Sequence, residues 1–252
     1  PYQSEYDRLK PLDLDEETHY WFIEECGRAG IKPLTTVFTR SAIEFVARCG
    51  WDEVKVASYD CASYPMLSEL RRRFQHVYVS TGAMYDHEIE GAAEVLAGGD
   101  FTFLHCVTIY PTPLDQMHLA RMEYLRRFTD SIGFSDHSLV ARDGIKAAAA
   151  ALANGAQVIE RHFTVLPADA TKDGPVSITP PMLRELVELA RLPQKEIASY
   201  VASAVPEAEA MMGFRHRELS HAELLNRDYY RGRFASRNGN GYIFNWEDRP
   251  LS

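Results

Sequence analysis

A short apolar run followed by an amphipathic stretch recurs six times between residues 31 and 190. The runs are 31–38, 53–58, 76–80, 101–107, 131–135 and 157–163, rich in β-branched and aromatic residues. They lack clean alternation, as strands covered on both faces do. Helical patterns fill the intervals, and parallel strands need such crossovers. The rhythm predicts an α/β fold of βα units, either a TIM-type (β/α)8 barrel or a doubly wound sheet. A closed barrel calls for eight strands, two more than these runs supply. A chain of 252 residues with 46% hydrophobic content fits one barrel, or a domain plus a tail.

Local signals set the expected helix ends. Residues 15–29 form a helix ahead of the first strand. Ser41-Ala-Ile-Glu44 reads as a capping box for a helix ending near Gly50. Asp86 is expected to cap a helix toward Leu96, and Asp115 one toward Phe128. Residues 143–154 are alanine-rich and stop at Gly155, and Thr179-Pro180 opens a helix to Ala190. Residues 193–212 are helical with a break at Pro206. Asn238-Gly-Asn-Gly241 is a turn signal. The expected division is a barrel domain over 1–203 and a C-terminal arm or linker over 204–252, leading toward something absent. The start at Pro1, without Met, is read as a cut end.

A net charge of −9 with no long basic run argues against a nucleic-acid partner. Cys26, Cys49, Cys61 and Cys106 show no CxxC spacing and read as buried thiols in a reducing cytoplasm. No stretch is apolar enough to span a membrane, and no signal-peptide pattern opens the chain.

His137 and His162 each end a probable strand and lie 25 residues apart, one strand-plus-helix step. Carboxyl ends of neighbouring parallel strands meet in space. Two imidazoles meeting there are a candidate divalent-metal site. Asp136 and Glu160 are expected behind the imidazoles or facing away, because adjacent strand residues point to opposite sides. Other polar residues crowd the same ends: Thr35 and Thr36; Lys55, Ser58 and Asp60; Ser80 and Thr81; His105, Thr108 and Tyr110; and Ser135. Buried polar groups are costly unless hydrogen-bonded, so their shared position suggests a polar, anionic ligand. Lys55 with the hydroxyls of Ser58, Ser80 and Ser135 suits a phosphate or carboxylate.

Plainer readings stand beside these. A strand-end His is often only structural, and His105, in an apolar run, is assigned such a role. Lys55 could pair with an interior carboxylate or act as a Schiff-base nucleophile. Glu160-Arg161 could be an internal ion pair, and the serines could simply tie down loops.

The runs Val54-Lys-Val-Ala-Ser58, Val79-Ser-Thr-Gly82, Leu104–Pro113, Gly133-Phe-Ser-Asp-His137 and Ile159–Thr164 resemble, in order and spacing, the sialic acid synthase family. That family includes the N-acetylneuraminate, legionaminate and pseudaminate synthases and the spore-coat polysaccharide protein SpsE. The resemblance covers about residues 1–235. It implies a TIM barrel followed by a small antifreeze-like domain, in a domain-swapped homodimer. It implies condensation of phosphoenolpyruvate with an N-acylated amino sugar, releasing phosphate, for polysaccharide biosynthesis. By match, His137 and His162 hold a divalent metal, typically Mn2+, with Mg2+ or Co2+ as alternatives. Lys55, Ser58, Ser80 and Ser135 hold phosphoenolpyruvate; Asp60, Thr108 and Tyr110 fall on the sugar side.

The sequence departs from the family in three places. The family's first two strands, bearing a catalytic Glu and a further Lys, have no counterpart. Its Gly-Pro-Asp-His segment reads Asp173-Gly-Pro-Val176, so the sugar-binding Asp is absent or displaced. The antifreeze-like domain is missing, unless residues 231–250 open it. A Schiff-base aldolase using Lys55, and a non-catalytic remnant or subunit, are the alternatives.

Overall fold

The computed structural model describes residues 3–251. Six parallel strands form one sheet in sequential order: β1 (Thr35–Thr36), β2 (Glu53–Val56), β3 (His76–Ser80), β4 (Phe101–Cys106), β5 (Ile132–Asp136) and β6 (Val158–Arg161). All six expected runs contain strands; four are shorter than expected, the first and last most of all. Both lie at sheet edges, where one neighbour fewer holds the backbone extended. Beyond β6, Ile178 N–H donates to His162 O at 2.8 Å and Thr164 N–H to Ile178 O at 3.0 Å, a rudimentary further pairing. The α/β class with a parallel sheet stands; the sheet is open among the described residues, since β1 and β6 do not pair.

The strands do alternate, contrary to the sequence reading. Val54, Val56, Val77, Val79, Phe103, Phe134 and Ile132 face outward into the buried core. Leu67, Leu70, Ile89 and Ala147–Ala151 of the crossover helices pack in the same core. The opposite parity, led by Lys55, Ser80, Cys106, Ser135 and Glu160, faces inward. Both sets are largely buried, so hydropathy alone hides the period. Gly133 is required by the inward crowding: a Cβ there would stand 2.3 Å from Leu104 Cδ2 and 2.6 Å from Val158 O.

Some helix ends differ from expectation. Asp15 caps Glu16–Ala29 by accepting from Thr18 N–H at 2.9 Å. Ser41 forms no capping box; its N–H donates to Ser236 Oγ at 2.9 Å, and its helix is Ala42–Arg48. Asp86 is the first residue of Asp86–Leu96 rather than its cap, and its carboxylate is taken by Arg121 and His216. Asp115 lies in a 3-10 turn, Leu114–Gln116, and only Arg121–Leu125 is α-helical beyond it. The alanine-rich stretch breaks at Gly144, φ 54°, into Val140–Asp143 and Lys146–Ala153.

The described C-terminal arm returns to the sheet. Helix His221–Tyr230 is followed by an antiparallel hairpin, β7 (Ala235–Asn238) and β8 (Gly241–Phe244), turning at the predicted Asn238–Gly241 signal. Buried Arg40 anchors it by donating to Glu247 O and Arg249 O, each at 2.8 Å. No helix among the described residues is long and apolar enough to cross a membrane.

Candidate active site

The inward side chains converge at the carboxyl ends of the strands around a cavity of about 370 Å³. Lys55 enters from β2, with Ser58 just past it; Ser80 comes from β3 and Ser135 from β5. Thr108 and Tyr110 follow β4, and His137, Glu160 and His162 complete the wall. The structure therefore brings together all four residues expected at an anion and both expected metal ligands.

Glu160 corrects the sequence reading. It shares the parity of His162, so it faces into the cavity, with Oε1 3.3 Å from Lys55 Nζ. Burial pushes its pKa up, but the Lys55 charge and hydrogen bonds from Ser135 and Lys55 outweigh this and hold it below the ordinary range. Arg161, on the other face, pairs with fully buried Asp136 and donates to Ser138 Oγ at 2.8 Å. Glu160-Arg161 is thus not an internal pair; Arg161 has its partner on neighbouring β5, and Glu160 has its partner across the cavity on β2.

Two hydroxyls at the cavity have no protein partner: Ser80 Oγ and Thr108 Oγ1, both buried. Leaving a buried polar group unmade costs ~1–3 kcal/mol, which a hydrogen-bonding ligand would remove. Ser58 Oγ accepts from Gly82 N–H at 3.1 Å, and its own proton, within reach of Cys106 Sγ, can turn to another acceptor.

The His137 and His162 rings lie 5.4 Å apart, centroid to centroid. His137 Nδ1 is 3.3 Å from Val107 O, and an N–H there donates to that carbonyl. The lone pair is then on Nε2, which accepts from Tyr110 O–H at 2.8 Å. Burial, reinforced by the His162 charge, lowers the His137 pKa to about 3 despite the Val107 carbonyl, so the ring is neutral as a metal ligand must be. His162 is partly open, with Nδ1 3.8 Å from Asp173 of the departed family segment. No group of three or more His, Cys, Asp or Glu side chains forms a metal cluster among the described residues. Two oriented imidazoles fit an ion whose other positions go to water or substrate, as in catalytic sites. Tyr110 must then leave Nε2.

Asp60 is placed elsewhere. The 3-10 turn Ser58–Asp60 rotates it off the cavity wall. Its carboxylate accepts from Ser63 Oγ at 3.0 Å and from Asn245 Nδ2 at 2.8 Å. It ties down the C-terminal hairpin and does not line the cavity. His105 is structural, as read: fully buried, it donates from Nε2 to Met117 O at 2.7 Å. Thr81 O–H is turned to Leu104 O at 3.2 Å. Thr36, Phe38, Tyr59 and Cys106 also line the cavity and were missed as site residues, except Thr36. The inward parity running two residues from Thr36 to Phe38, and from Thr108 back to Cys106, is the signal that finds two of them.

Burial of the two histidines gives a pH dependence. Burial lowers His105, like His137, to about 3, against roughly 6.5 for an unfolded His. Below 6.5 the unfolded chain binds protons that the native one refuses, so the stabilisation is complete above that pH and is lost on descent toward 3. The urea midpoint should fall between pH 7 and 4.5. His105→Gln, whose amide can still donate to Met117 O, should show a smaller fall; equal slopes would contradict the assignment.

A model of the NeuB family matches residues 1–201 of this chain. The uncharacterized protein MJ1065 of Methanocaldococcus jannaschii is 33% identical over 77% of this chain and 58% of its own length. The N,N'-diacetyllegionaminic acid synthase of Campylobacter jejuni is 30% identical over 80% of this chain and 61% of its own. The chain thus spans about three fifths of the length of these relatives. Among solved structures, the N-acetylneuraminic acid synthetase of Leptospira borgpetersenii, in complex with citrate, superposes with a TM-score of 0.69 at 25% identity, over 90% of this chain and 74% of that one. A DAHP synthase of Thermotoga maritima shares the fold, with a TM-score of 0.61 at 20% identity.

Proposed function

The chain belongs to the NeuB family, and on that premise we propose that its cavity binds phosphoenolpyruvate and presents it to an N-acylated amino sugar in nonulosonic acid synthesis. The observation that carries this reading is the pairing, in one cavity, of unpartnered Ser80 and Thr108 hydroxyls with Lys55 and with two imidazoles, of which His137 is neutral and carries its lone pair on Nε2. Lys55 supplies the charge on the phosphate or carboxylate. Ser58 and Ser80 donate O–H groups to its oxygens, and Ser135 joins them by turning its O–H from Glu160 to the ligand; charge-assisted bonds of this kind are about twice as strong as neutral ones. Thr108 and Tyr110 border the sugar side. His137 and His162 hold a divalent ion, Mn2+ by family resemblance; when bound, such an ion polarises the sugar's aldehyde oxygen.

Charge balance defines what else the reaction needs. Lys55 and Glu160 cancel, so further cations would strengthen the hold on a ligand carrying several negative charges. The metal is one source. The other is the further Lys expected on two additional barrel strands, which would also close the open sheet. The reading accordingly places this chain as six strands of an eight-stranded barrel. The Lys55–Glu160 ion pair disfavours a Schiff-base role, because an ammonium held by a carboxylate is no nucleophile.

The test is phosphate release from phosphoenolpyruvate with N-acylated amino sugars, with Mn2+ and then with excess chelator. Sugar-dependent release that the chelator stops is the expected result. A borohydride-trapped adduct with pyruvate on Lys55, without phosphate release, would replace the proposal by the aldolase reading.

A further inference from the structure

We propose that Arg227, on the helix His221–Tyr230, is a positioning residue for the anion cavity: it fixes the loop 82–84 and, through Gly82, the hydroxyl of Ser58. The inference rests on the phosphoenolpyruvate reading for its ligand, but its geometry does not. Arg227 is only 5% exposed and lies far along the chain from the sheet ends it serves. It donates to Ala83 O at 2.6 Å and to both oxygens of Glu88, at 2.8 and 2.6 Å. Its guanidinium also stacks over Tyr85, 4.6 Å from the ring centroid.

The residue it grips is one that needs gripping. Ala83 has φ 53°, in the left-handed region that a side chain disfavours. The neighbouring Gly82 makes a close approach to two residues of the cavity. A Cβ there would stand 2.6 Å from Thr108 Cγ2 and 2.9 Å from Ser58 Oγ. This contact lets Gly82 N–H donate to Ser58 Oγ, which fixes that oxygen at the cavity wall and leaves the serine's one proton to be given to an acceptor, Cys106 Sγ here or a bound anion. Asn226, the preceding residue on the helix, donates to Thr108 O on the other side of the same contact. One helical turn of the arm therefore holds both flanks of the anion site. Arg231 also reaches Glu88, at 2.6 Å, so removing Arg227 does not strand that carboxylate.

Arg227→Ala should leave the fold intact. It should speed hydrogen exchange at the Gly82 amide at least about tenfold while the amides of β3 keep their protection. Metal-free binding of phosphoenolpyruvate, followed by calorimetry, should weaken about tenfold. Adding Ala83→Gly, which makes the loop conformation free of steric cost, should recover several-fold of that loss. A merely structural arginine predicts no such rescue. If Arg227→Ala fails to fold, Arg227→Lys, which cannot span all three acceptors, carries the same comparison. Unchanged Gly82 exchange in a folded variant overturns the proposal, as does faster exchange with unchanged affinity. A native chain that binds no phosphoenolpyruvate overturns the substrate reading instead, and Gly82 exchange still decides whether Arg227 sets the loop.

Discussion

Lys55→Met should weaken phosphoenolpyruvate binding by two to three orders of magnitude, or ~3–4 kcal/mol, within the range for truncating one partner of a buried charge pair. The change acts twice. It removes the cation facing the anion, and it leaves Glu160, now without its partner 3.3 Å away, as an anion in the same cavity. The double variant Lys55→Met, Glu160→Gln should therefore bind better than Lys55→Met alone, because the repulsive charge is gone. Calorimetric titration of the native chain and the variants measures this directly. A Lys55→Met chain that binds as tightly as the native one would remove Lys55 from the ligand site, and a double variant no better than the single one would show that Glu160 does not face the anion.

His137→Ala or His162→Ala should each abolish retained Mn2+ and metal-dependent phosphate release while leaving the circular dichroism spectrum unchanged. With only two protein imidazoles available, losing either halves the protein's share of the ligand set. Affinity should drop by more than the ~10–100-fold seen when a supporting partner is lost. The two changes should differ in stability. His137 is buried and bonded to Val107 O and Tyr110, so its truncation also leaves a void and an unpaired tyrosine hydroxyl. His162 is partly exposed, and its truncation should alter the melting temperature little. Metal analysis after dialysis, together with thermal melts, checks both points. Full metal content in either variant would contradict the assignment.

The sheet and most of the site were legible in the sequence because both follow from a period of two. Lys55, Ser80, Ser135, His137 and His162 sit at strand ends on one parity, and the structure gathers them. The same rule places Glu160 beside His162; expecting it to face away applied the rule to the wrong neighbour, since only Asp136 adjoins a site histidine with opposite parity. Asp60 was not legible. Strand alternation stops at Val56, a 3-10 turn follows, and the partner that captures the carboxylate, Asn245, is remote in sequence. The docking of the arm through Asn226, Arg227 and Asn245 was hidden for the same reason. Contacts between residues more than a hundred positions apart leave no local pattern, and a polar, glycine-bearing segment reads as a linker whether or not it docks. Ser41 illustrates the reverse error: its capping pattern is present, but the arm's Ser236 takes its backbone N–H.

The account's central claim is that the anion set around Lys55 and the imidazole pair serve one reacting complex. The most direct measurement is the phosphorus resonance of phosphoenolpyruvate bound to the chain, recorded with substoichiometric Mn2+. The predicted result is strong paramagnetic broadening in the native chain, lost in His137→Ala although phosphoenolpyruvate still binds. Binding without broadening in the native chain would contradict the claim, because it would place the anion and the metal in separate sites.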